Sequence, residues 1–253
     1  MKTKTYKGTY SVKSDVGKVR ISNEDQGKVL VNSNGNVLLA VADGMGGHHK
    51  GDYASFETIK IIFEAFKTKK RYFNEYDAMR WMNAITRTAN GYIYRTQDGN
   101  DIYHGMGTTL VMGMIYKNKL VVLNSGDSRL YVVRDKKLVQ LTEDQTYVDY
   151  LLMSGQITQE EAINHPKRHV LTNAIGLFPS LSADLRIHNY NGEPILLCSD
   201  GLYNNVSEQD ILNILLTTNS VEDKCDSLIS LANFNGGDDN ITVVLWESYD
   251  DQD

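Results

Sequence analysis

Four apolar segments of this sequence end or begin at an aspartate with glycine nearby. The segments are LLAVADG, LVVLNSGD, ILLCSDG and GGDDNITVVLW, and their aspartates are Asp43, Asp127, Asp200 and Asp239. A single such aspartate is typical of a turn residue that bonds its own backbone. If the four strands are neighbours, however, their carboxylates converge, and their mutual repulsion would destabilise the fold unless a cation lies between them.

The chemistry of these side chains indicates which cation they would bind. All four offer oxygen, and oxygen ligands select Mg²⁺, Mn²⁺ or Ca²⁺ over Zn²⁺ or copper. No EF-hand loop is present, and the G-x-G-x-x-G pattern of a dinucleotide site fails because His49 occupies the last glycine position. A pair of carboxylate-bound ions can activate a water for attack on phosphorus. Arg20, in RISNED, is the best candidate to bind the phosphate itself.

Length and charge limit the class of protein. A chain of 253 residues with 41% hydrophobic content can bury one large core. The net charge of -6 argues against binding nucleic acid or an anionic membrane through bulk electrostatics. The two cysteines, Cys198 and Cys225, fit core packing in a reducing compartment. With no signal peptide and no apolar run of membrane-spanning length, we expect a soluble, cytoplasmic protein.

The first half of the chain predicts short strands followed by two helices. Strands are expected at 5–14, 27–31 and 37–42, the last being apolar throughout and therefore covered on both faces. Two amphipathic helices follow, each with one apolar stripe. The stripes are Phe56, Ile59, Phe63 and Phe66 in the first helix, and Met82, Ile85, Ala89 and Tyr92 in the second.

The second half predicts more antiparallel strands and a second helix pair. Four short runs between 108 and 141 are separated by breaks too short for parallel crossovers, which indicates a meander. Strands return at 183–189 and 194–199, helices begin at Ser207 and Ser220, and NITVVLW forms a last strand. The predicted fold class is α+β, a four-layer α/β/β/α sandwich of two mostly antiparallel sheets flanked by helix pairs. No linker divides it, so we expect a single domain over 1–253, with a surface excursion at 144–180 and an acidic tail at 248–253.

Eight segments in order resemble one known family, the metal-dependent (type 2C) serine/threonine protein phosphatases, especially their compact bacterial members. They are RISNED, VADGMGG, GTT, NSGDSRLY, LTEDQT, HPKRHVLTNAIG, CSDGLYNNV and GGDDNIT. The resemblance covers essentially the whole chain and implies the same two-sheet sandwich. It also implies that residues 144–180 form the family's flap, which lies beside the active site and influences substrate choice.

The resemblance implies a role for each candidate site residue. Asp43 would bridge two Mn²⁺ or Mg²⁺ ions, Gly44 would lend its carbonyl, and Asp200 and Asp239 would complete the two sites. Glu24 and Asp25 would hold metal-bound waters, Arg20 would bind the substrate phosphate, and Asp127 with Asp200 would serve a third, weaker metal site.

Three positions depart from the family pattern. Met45 replaces a histidine that is thought to protonate the leaving alcohol in animal members, although bacterial relatives commonly have methionine here. Gln145 replaces the usual histidine of TxDH, and Asn204 stands where many members have aspartate. His48 and His49 lie near the motif but off it, and we interpret them as solvated loop residues.

We therefore expect a phosphatase that hydrolyses phosphoserine and phosphothreonine by direct attack of a hydroxide bridging two ions. Its partners would be phosphorylated proteins and a cognate bacterial serine/threonine kinase whose action it reverses, and it would be a monomer that binds neither nucleic acid nor membrane. The non-enzyme alternative is a catalytically silent regulatory module of the same fold. A third reading keeps the metals but assigns small phosphate esters, phosphohistidine or phosphoarginine as substrates.

Overall fold

The computed structural model describes residues 6–46, 50–69, 71–98 and 103–249. Within these ranges the chain forms eleven β-strands and seven α-helices. The strands are β1 (Lys7–Asp15), β2 (Asp25–Val31), β3 (Val37–Met45), β4 (Gly107–Thr108), β5 (Leu110–Tyr116), β6 (Lys119–Ser125), β7 (Arg129–Arg134), β8 (Lys137–Gln140), β9 (Asp184–Asn189), β10 (Ile195–Cys198) and β11 (Ile241–Tyr249). The helices are α1 (Lys50–Thr68), α2 (Glu75–Thr96), α3 (Tyr147–Met153), α4 (Gln159–Ile163), α5 (Asp200–Tyr203), α6 (Glu208–Leu215) and α7 (Val221–Asn235). His48, His49 and the last four residues of the predicted tail lie outside the described residues.

The strands form two sheets whose strand pairs are antiparallel. One sheet has the order β1-β11-β10-β7-β8, and the other has the order β2-β3-β5-β6-β9 with β4 paired to β3. The predicted meander at 108–141 is wrong in one respect. The chain passes from one sheet to the other between β6 and β7, at Gly126 and Asp127, so these four runs form two hairpins in different sheets. Hydrophobic pattern alone does not distinguish the two arrangements, because both sheets are antiparallel.

Strand β3 shows why the sequence from 37 to 42 is apolar throughout. Alternate residues point to opposite faces of a strand, and both faces of β3 are buried. One set packs into the core between the two sheets and the other into the core beneath α1 and α2. The first set is Val37, Leu39 and Val41, and the second is Leu38, Ala40 and Ala42.

The helices form the outer layers and confirm the predicted sandwich. Helices α1 and α2 cover one sheet, and α6 and α7 cover the other. Ser207 and Ser220 cap α6 and α7 as predicted, each accepting a bond from the backbone N–H three residues later. The predicted stripes are wrong at Phe56 and Tyr92, which lie at the surface, since α1 and α2 contact the sheet over a narrower face. None of the helices in the described ranges combines the length and apolar character that crossing a bilayer requires.

The predicted surface excursion at 144–180 contains α3 and α4, and Gln145 ties its base to the sheets. The Gln145 side-chain oxygen accepts bonds from Gly126 N–H at 3.1 Å and from Asn173 Nδ2 at 2.8 Å. Its backbone N–H donates to Gly126 O, and its backbone carbonyl accepts from Thr172 N–H at 2.8 Å. One residue therefore holds both ends of the excursion against the turn that carries Asp127.

We predict that Gln145→Met loosens this excursion. Methionine keeps the approximate volume but removes both side-chain hydrogen bonds, each worth about 1 kcal/mol. Because the two bonds together are worth about 2 kcal/mol, local opening should become about thirtyfold more frequent. Trypsin should then cleave faster after the exposed Lys167 and Arg168, as measured by mass spectrometry. Gln156→Met is the matched control, because Gln156 is exposed on the same excursion and its amide donates to Ser154 Oγ. Equal cleavage rates in the two variants would contradict the assignment.

Candidate active site

One open cavity of about 1040 Å³ lies where β2 begins, β3 and β10 end, and β11 begins. All but one of the residues predicted from the sequence line it. The lining residues are Arg20, Glu24, Asp43, Gly44, Asp127, Asp200 and Asp239. The exception is Asp25, which is 3% exposed and lies behind the cavity wall.

Asp25 and Asp43 stand directly opposite each other on the paired strands β2 and β3. Ser199 donates its hydroxyl to Asp25 Oδ2 at 2.6 Å. Like charges at facing positions of a sheet repel, and burial removes the water that would screen them. The register of β2 on β3 thus forces two carboxylates together at the edge of the cavity.

The backbone of Asp43 is fixed by two threonines of the GTT motif. The Asp43 N–H donates to Thr109 Oγ1 at 3.0 Å, and its carbonyl accepts from Thr108 Oγ1 at 2.9 Å and from Thr109 N–H at 2.8 Å. Neither threonine was assigned a role from the sequence, although both lie in a segment that carried the family resemblance. They orient the end of β3 toward the cavity.

Gly44 is required by close backbone packing. A Cβ atom at Gly44 would collide with the backbone of Gly51, at the start of α1, and with the Glu24 carbonyl. A Cβ at Gly51 would in turn collide with Glu24 Oε2. The two glycines therefore let β3, α1 and the Glu24 segment meet beside Asp43. A larger residue at Gly44 would push these backbones apart, and one at Gly51 would displace the Glu24 side chain.

The other three aspartates come from the edges of different elements. Asp200 begins α5 directly after β10, and Asp239 precedes β11, the strand paired with β10. Asp127 lies in the turn at which the chain changes sheets, and Tyr203 Oη donates to its carbonyl at 3.0 Å. Both sheets thus contribute carboxylates to one cavity, as the sequence predicted.

Arg20 lies at the mouth of the cavity in an ion pair with Asp239, at 2.7 Å from Nη2 to Oδ2. The loop that carries it is held by Asn240, whose Nδ2 donates to the carbonyls of Val16 and Ser22, both at 2.9 Å. Asn240 Oδ1 also accepts from the Glu24 N–H at 2.8 Å. Asn240 was not among the site residues predicted from the sequence. The sequence feature that could have indicated its role is its position in GGDDNIT, a segment that carries the family resemblance.

Burial and mutual repulsion raise the pKa values of four carboxyl groups at this site, those of Asp25, Asp43, Asp127 and Asp200. Burial raises the pKa of Asp25 to about 6 and the pKa of Asp127 to about 7. The pKa of Asp43 is raised well above its ordinary value by burial and then by the charges of Asp25 and Asp200. Burial and the charges of Asp127 and Asp239 do the same for Asp200. These four carboxyl groups therefore disfavour their ionised forms at this site.

Two of these buried carboxylates have oxygen atoms that no protein donor uses. Asp25 Oδ1 and Asp200 Oδ1 are fully buried and have no hydrogen-bond partner in the described residues. No three carboxylate, imidazole or thiol groups of the described chain surround one common point as the ligands of a bound ion would. In this arrangement Asp239 turns to Arg20 and Asp25 to Ser199. Unused acceptors, an all-oxygen donor set and raised pKa values together fit a site for hard divalent cations.

Two of the three residues that depart from the family pattern, Met45 and Asn204, line the cavity, and Gln145 does not. Met45 lines the cavity beside Gly44 and offers no proton. Asn204 also lines it, and its Nδ2 donates to Asp200 Oδ2 at 3.2 Å, so the amide nitrogen rather than the oxygen faces that carboxylate. Gln145 lies outside the cavity at the base of the excursion described above.

Comparison with known proteins agrees with this geometry. The sequence pattern of the family described as Protein phosphatase 2C matches residues 18–234. The serine/threonine phosphatase stp of Listeria welshimeri is 37% identical over 236 residues, covering 93% of this chain and 94% of that protein. The crystal structure of serine/threonine phosphatase Stp1 from Staphylococcus aureus superposes with a TM-score of 0.90 at 33% identity and 96% coverage of both chains.

A second solved structure bears on the metal. The catalytic domain of the serine/threonine protein phosphatase PstP, in complex with two manganese ions, superposes with a TM-score of 0.84 at 34% identity, covering 96% of this chain and 99% of that one. The family resemblance and the fold inferred from the sequence are confirmed, and the two manganese ions of the PstP structure agree with the Mn²⁺ or Mg²⁺ expected from the sequence. The chain therefore belongs to the protein phosphatase 2C family of metal-dependent serine/threonine phosphatases.

Proposed function

We propose that this cavity binds two Mn²⁺ or Mg²⁺ ions and hydrolyses phosphoserine and phosphothreonine in proteins. The observation that carries the proposal is the convergence of buried carboxylates from both sheets, two of which keep unused oxygens. The raised pKa values of Asp25, Asp43, Asp127 and Asp200 show that these carboxyls disfavour the ionised form without a cation, and two divalent ions would reverse that preference.

The ligands of the two main ions come from three strand edges. Asp43 would bridge the ions, the Gly44 carbonyl would complete one coordination shell, and Asp200 and Asp239 would each bind from the other sheet. Glu24 and Asp25 would act through water, which suits Asp25 because it lies behind the cavity wall. Asp127 with Asp200 would hold a third, weaker ion.

The reaction needs no nucleophilic side chain from the protein. Two bound ions lower the pKa of a shared water and direct it at phosphorus, so that no covalent phosphoenzyme forms. The described chain is consistent with this route, since Cys198 and Cys225 are both buried away from the cavity. Met45 supplies no proton to the leaving alcohol, so we assign that proton to water in the open cavity.

Arg20 would bind two oxygens of the substrate phosphate. A guanidinium offers paired N–H donors that match a phosphate, whereas an ammonium offers a point charge. In the structure Arg20 is already directed into the cavity by Asp239. An entering phosphate would share or replace that ion pair while Asp239 turns to a metal.

Reversal of a serine/threonine kinase follows from this reaction, and we propose it as the physiological role. A catalytically silent module of the same fold would be expected to lack a core carboxylate, whereas Asp43, Asp200 and Asp239 are all in place. No feature of the cavity favours small esters, phosphohistidine or phosphoarginine over phosphoserine and phosphothreonine. A monomeric state and a cytoplasmic location stay predictions.

The first test is metal-dependent hydrolysis of a phosphothreonine peptide. We expect no turnover after chelation, recovery with Mn²⁺, and a fall in kcat of about 100-fold or more in Asp43→Asn and Asp239→Asn, because each removes a charged ligand. Released phosphate is measured, and the surface variant Asp226→Asn, which removes an exposed carboxylate paired with Lys13, serves as control. Metal-independent turnover, or full activity in either site variant, would refute the proposal.

The second test concerns Arg20. Arg20→Ala should lower kcat/KM for the peptide by about 10- to 100-fold, because hydrogen bonds to a charged group are worth roughly 1.5–3 kcal/mol. Arg20→Lys should restore only part of this loss, and Mn²⁺ affinity measured by calorimetry should not weaken in either variant. Arg80→Lys, on the outer helix α2, is the matched control. Loss of Mn²⁺ binding in Arg20→Ala would instead assign the arginine to assembly of the metal site.

The third test uses the stability of the metal-free protein against pH. The unfolded Asp127 carboxyl ionises near 3.8 and the folded one near 7, so the folded state binds more protons between these values. Its contribution to the free energy of unfolding is therefore present at low pH and lost as pH rises through about 4 to 7. We expect Asp127→Asn to flatten this fall in thermal midpoint, because the variant lacks the Asp127 proton and because the Asp127 charge no longer raises the pKa of Asp200. Mn²⁺ should stabilise the wild type more at pH 7.5 than at pH 5, and parallel curves for the two metal-free proteins would contradict the assignment.

A further inference from the structure

The cavity is much larger than the phosphate that Arg20 and the metals would bind. Its volume of about 1040 Å³ is at the upper end of sites that enclose entire drug-sized ligands. A substrate protein must therefore place residues next to the phosphorylated one inside the same cavity. Consecutive residues of an extended chain advance by about 3.3–3.6 Å, so immediate neighbours lie within a few ångströms of the phosphoresidue.

Four apolar side chains besides Met45 line the cavity, and we call these four the apolar rim. Val19 and Ile21 come from the loop after β1, where they flank Arg20, and they are 63% and 102% exposed. Leu171 and Leu177 come from the end of the excursion at 144–180 and are partly buried. The cavity therefore holds two kinds of surface. Arg20 and the carboxylates would bind the phosphate and the metals, whereas the proposed function gives the apolar rim no role.

Both parts of the apolar rim are held in place by hydrogen bonds. Asn240 Nδ2 bonds to carbonyls on either side of Val19 and Ile21, and the Lys18 N–H donates to Gly237 O at 2.7 Å. On the other side, Leu171 forms an isolated β-bridge with Thr146. The apolar side chains are therefore presented to the cavity before any substrate arrives, which reduces the entropic cost of binding.

Single exposed apolar residues are common on protein surfaces and need no function. Ile163, 69% exposed on α4, is one such residue, and it does not line the cavity. Ile21 differs from it in three respects: it lines the cavity, it follows Arg20 directly, and it shares the cavity with Val19 and two leucines. This combination distinguishes a binding surface from a scattered apolar residue.

We propose that Val19, Ile21, Leu171 and Leu177 form a subsite for an aliphatic side chain next to the phosphorylated residue of the substrate protein. This inference rests on the proposed phosphatase function and narrows its substrate class. Charge does not decide the flanking residue, because Glu24 and Asp238 line the cavity together with Arg168 and His169. The favoured substrate therefore carries leucine, isoleucine or valine beside its phosphothreonine or phosphoserine.

The test uses two phosphothreonine peptides that differ only in having leucine or serine on both sides of the phosphorylated residue. With Mn²⁺ present, the kcat/KM of the wild type should be at least about fivefold higher for the leucine peptide than for the serine peptide, as expected for partial burial of aliphatic surface. Ile21→Ser should reduce this ratio toward one by lowering kcat/KM for the leucine peptide, while kcat/KM for the serine peptide should change by less than about twofold because serine gains little from an aliphatic surface. Ile163→Ser is the matched control and should keep the wild-type ratio.

A ratio near one in the wild type, or an unchanged ratio in Ile21→Ser, would overturn the subsite. Binding is measured separately by fluorescence anisotropy with phosphonate analogues of the two peptides, which cannot lose the phosphoryl group by hydrolysis. If the wild type hydrolyses neither peptide nor 4-nitrophenyl phosphate, the proposed function fails. The anisotropy ratio then still decides whether the apolar rim binds an aliphatic neighbour.

Discussion

Repulsion among buried carboxylates is the constraint on which the active site depends. The register of β2 on β3 places Asp25 opposite Asp43, and β10, β11 and the turn after β6 bring three more aspartates to the same cavity. Unpaired buried charges cost several kcal/mol each, so the apolar layers must hold the strand edges together against this repulsion. Strand β3, buried on both faces, supplies that rigidity directly behind Asp43. The same repulsion gives a divalent cation its binding free energy.

Local patterns were sufficient to predict most of the fold. A strand buried on both faces must be apolar throughout, and a serine followed by an acid three residues later is a common helix start, so β3, α6 and α7 were recognisable. The change of sheet at Gly126 and Asp127 was not, because a tight turn between two antiparallel strands has the same sequence signature within one sheet or between two. Phe56 and Tyr92 fit the helical period but lie beyond the width of the contact with the sheet.

The charged residues of the site could be recognised from the sequence, because charged side chains at the ends of apolar strands are unusual. The aspartates at strand edges stand out in the sequence, and Arg20 stands out as the cation at the start of RISNED. Asn240, Thr108 and Thr109 act through backbone groups that are distant along the chain, so only the folded structure reveals their partners. Gly51 is a similar case, since its need for a small residue arises from packing against Gly44.

The cavity separates the groups that perform the chemistry from those that contact the rest of the substrate. The carboxylates stand at or beside the ends of strands whose backbones are fixed by sheet hydrogen bonds, so the backbone positions that carry them cannot move apart without disturbing a core. Val19 and Ile21 stand on a loop, and Leu171 stands on the excursion. Leu177 is held more firmly, because Gly176 and Phe178 on either side of it bond to Asn90 of α2. Substitutions at Val19 and Ile21 alter packing against solvent or substrate but leave the strand register intact. Substrate preference can therefore change through aliphatic positions outside the strands while the geometry around Asp43 stays the same.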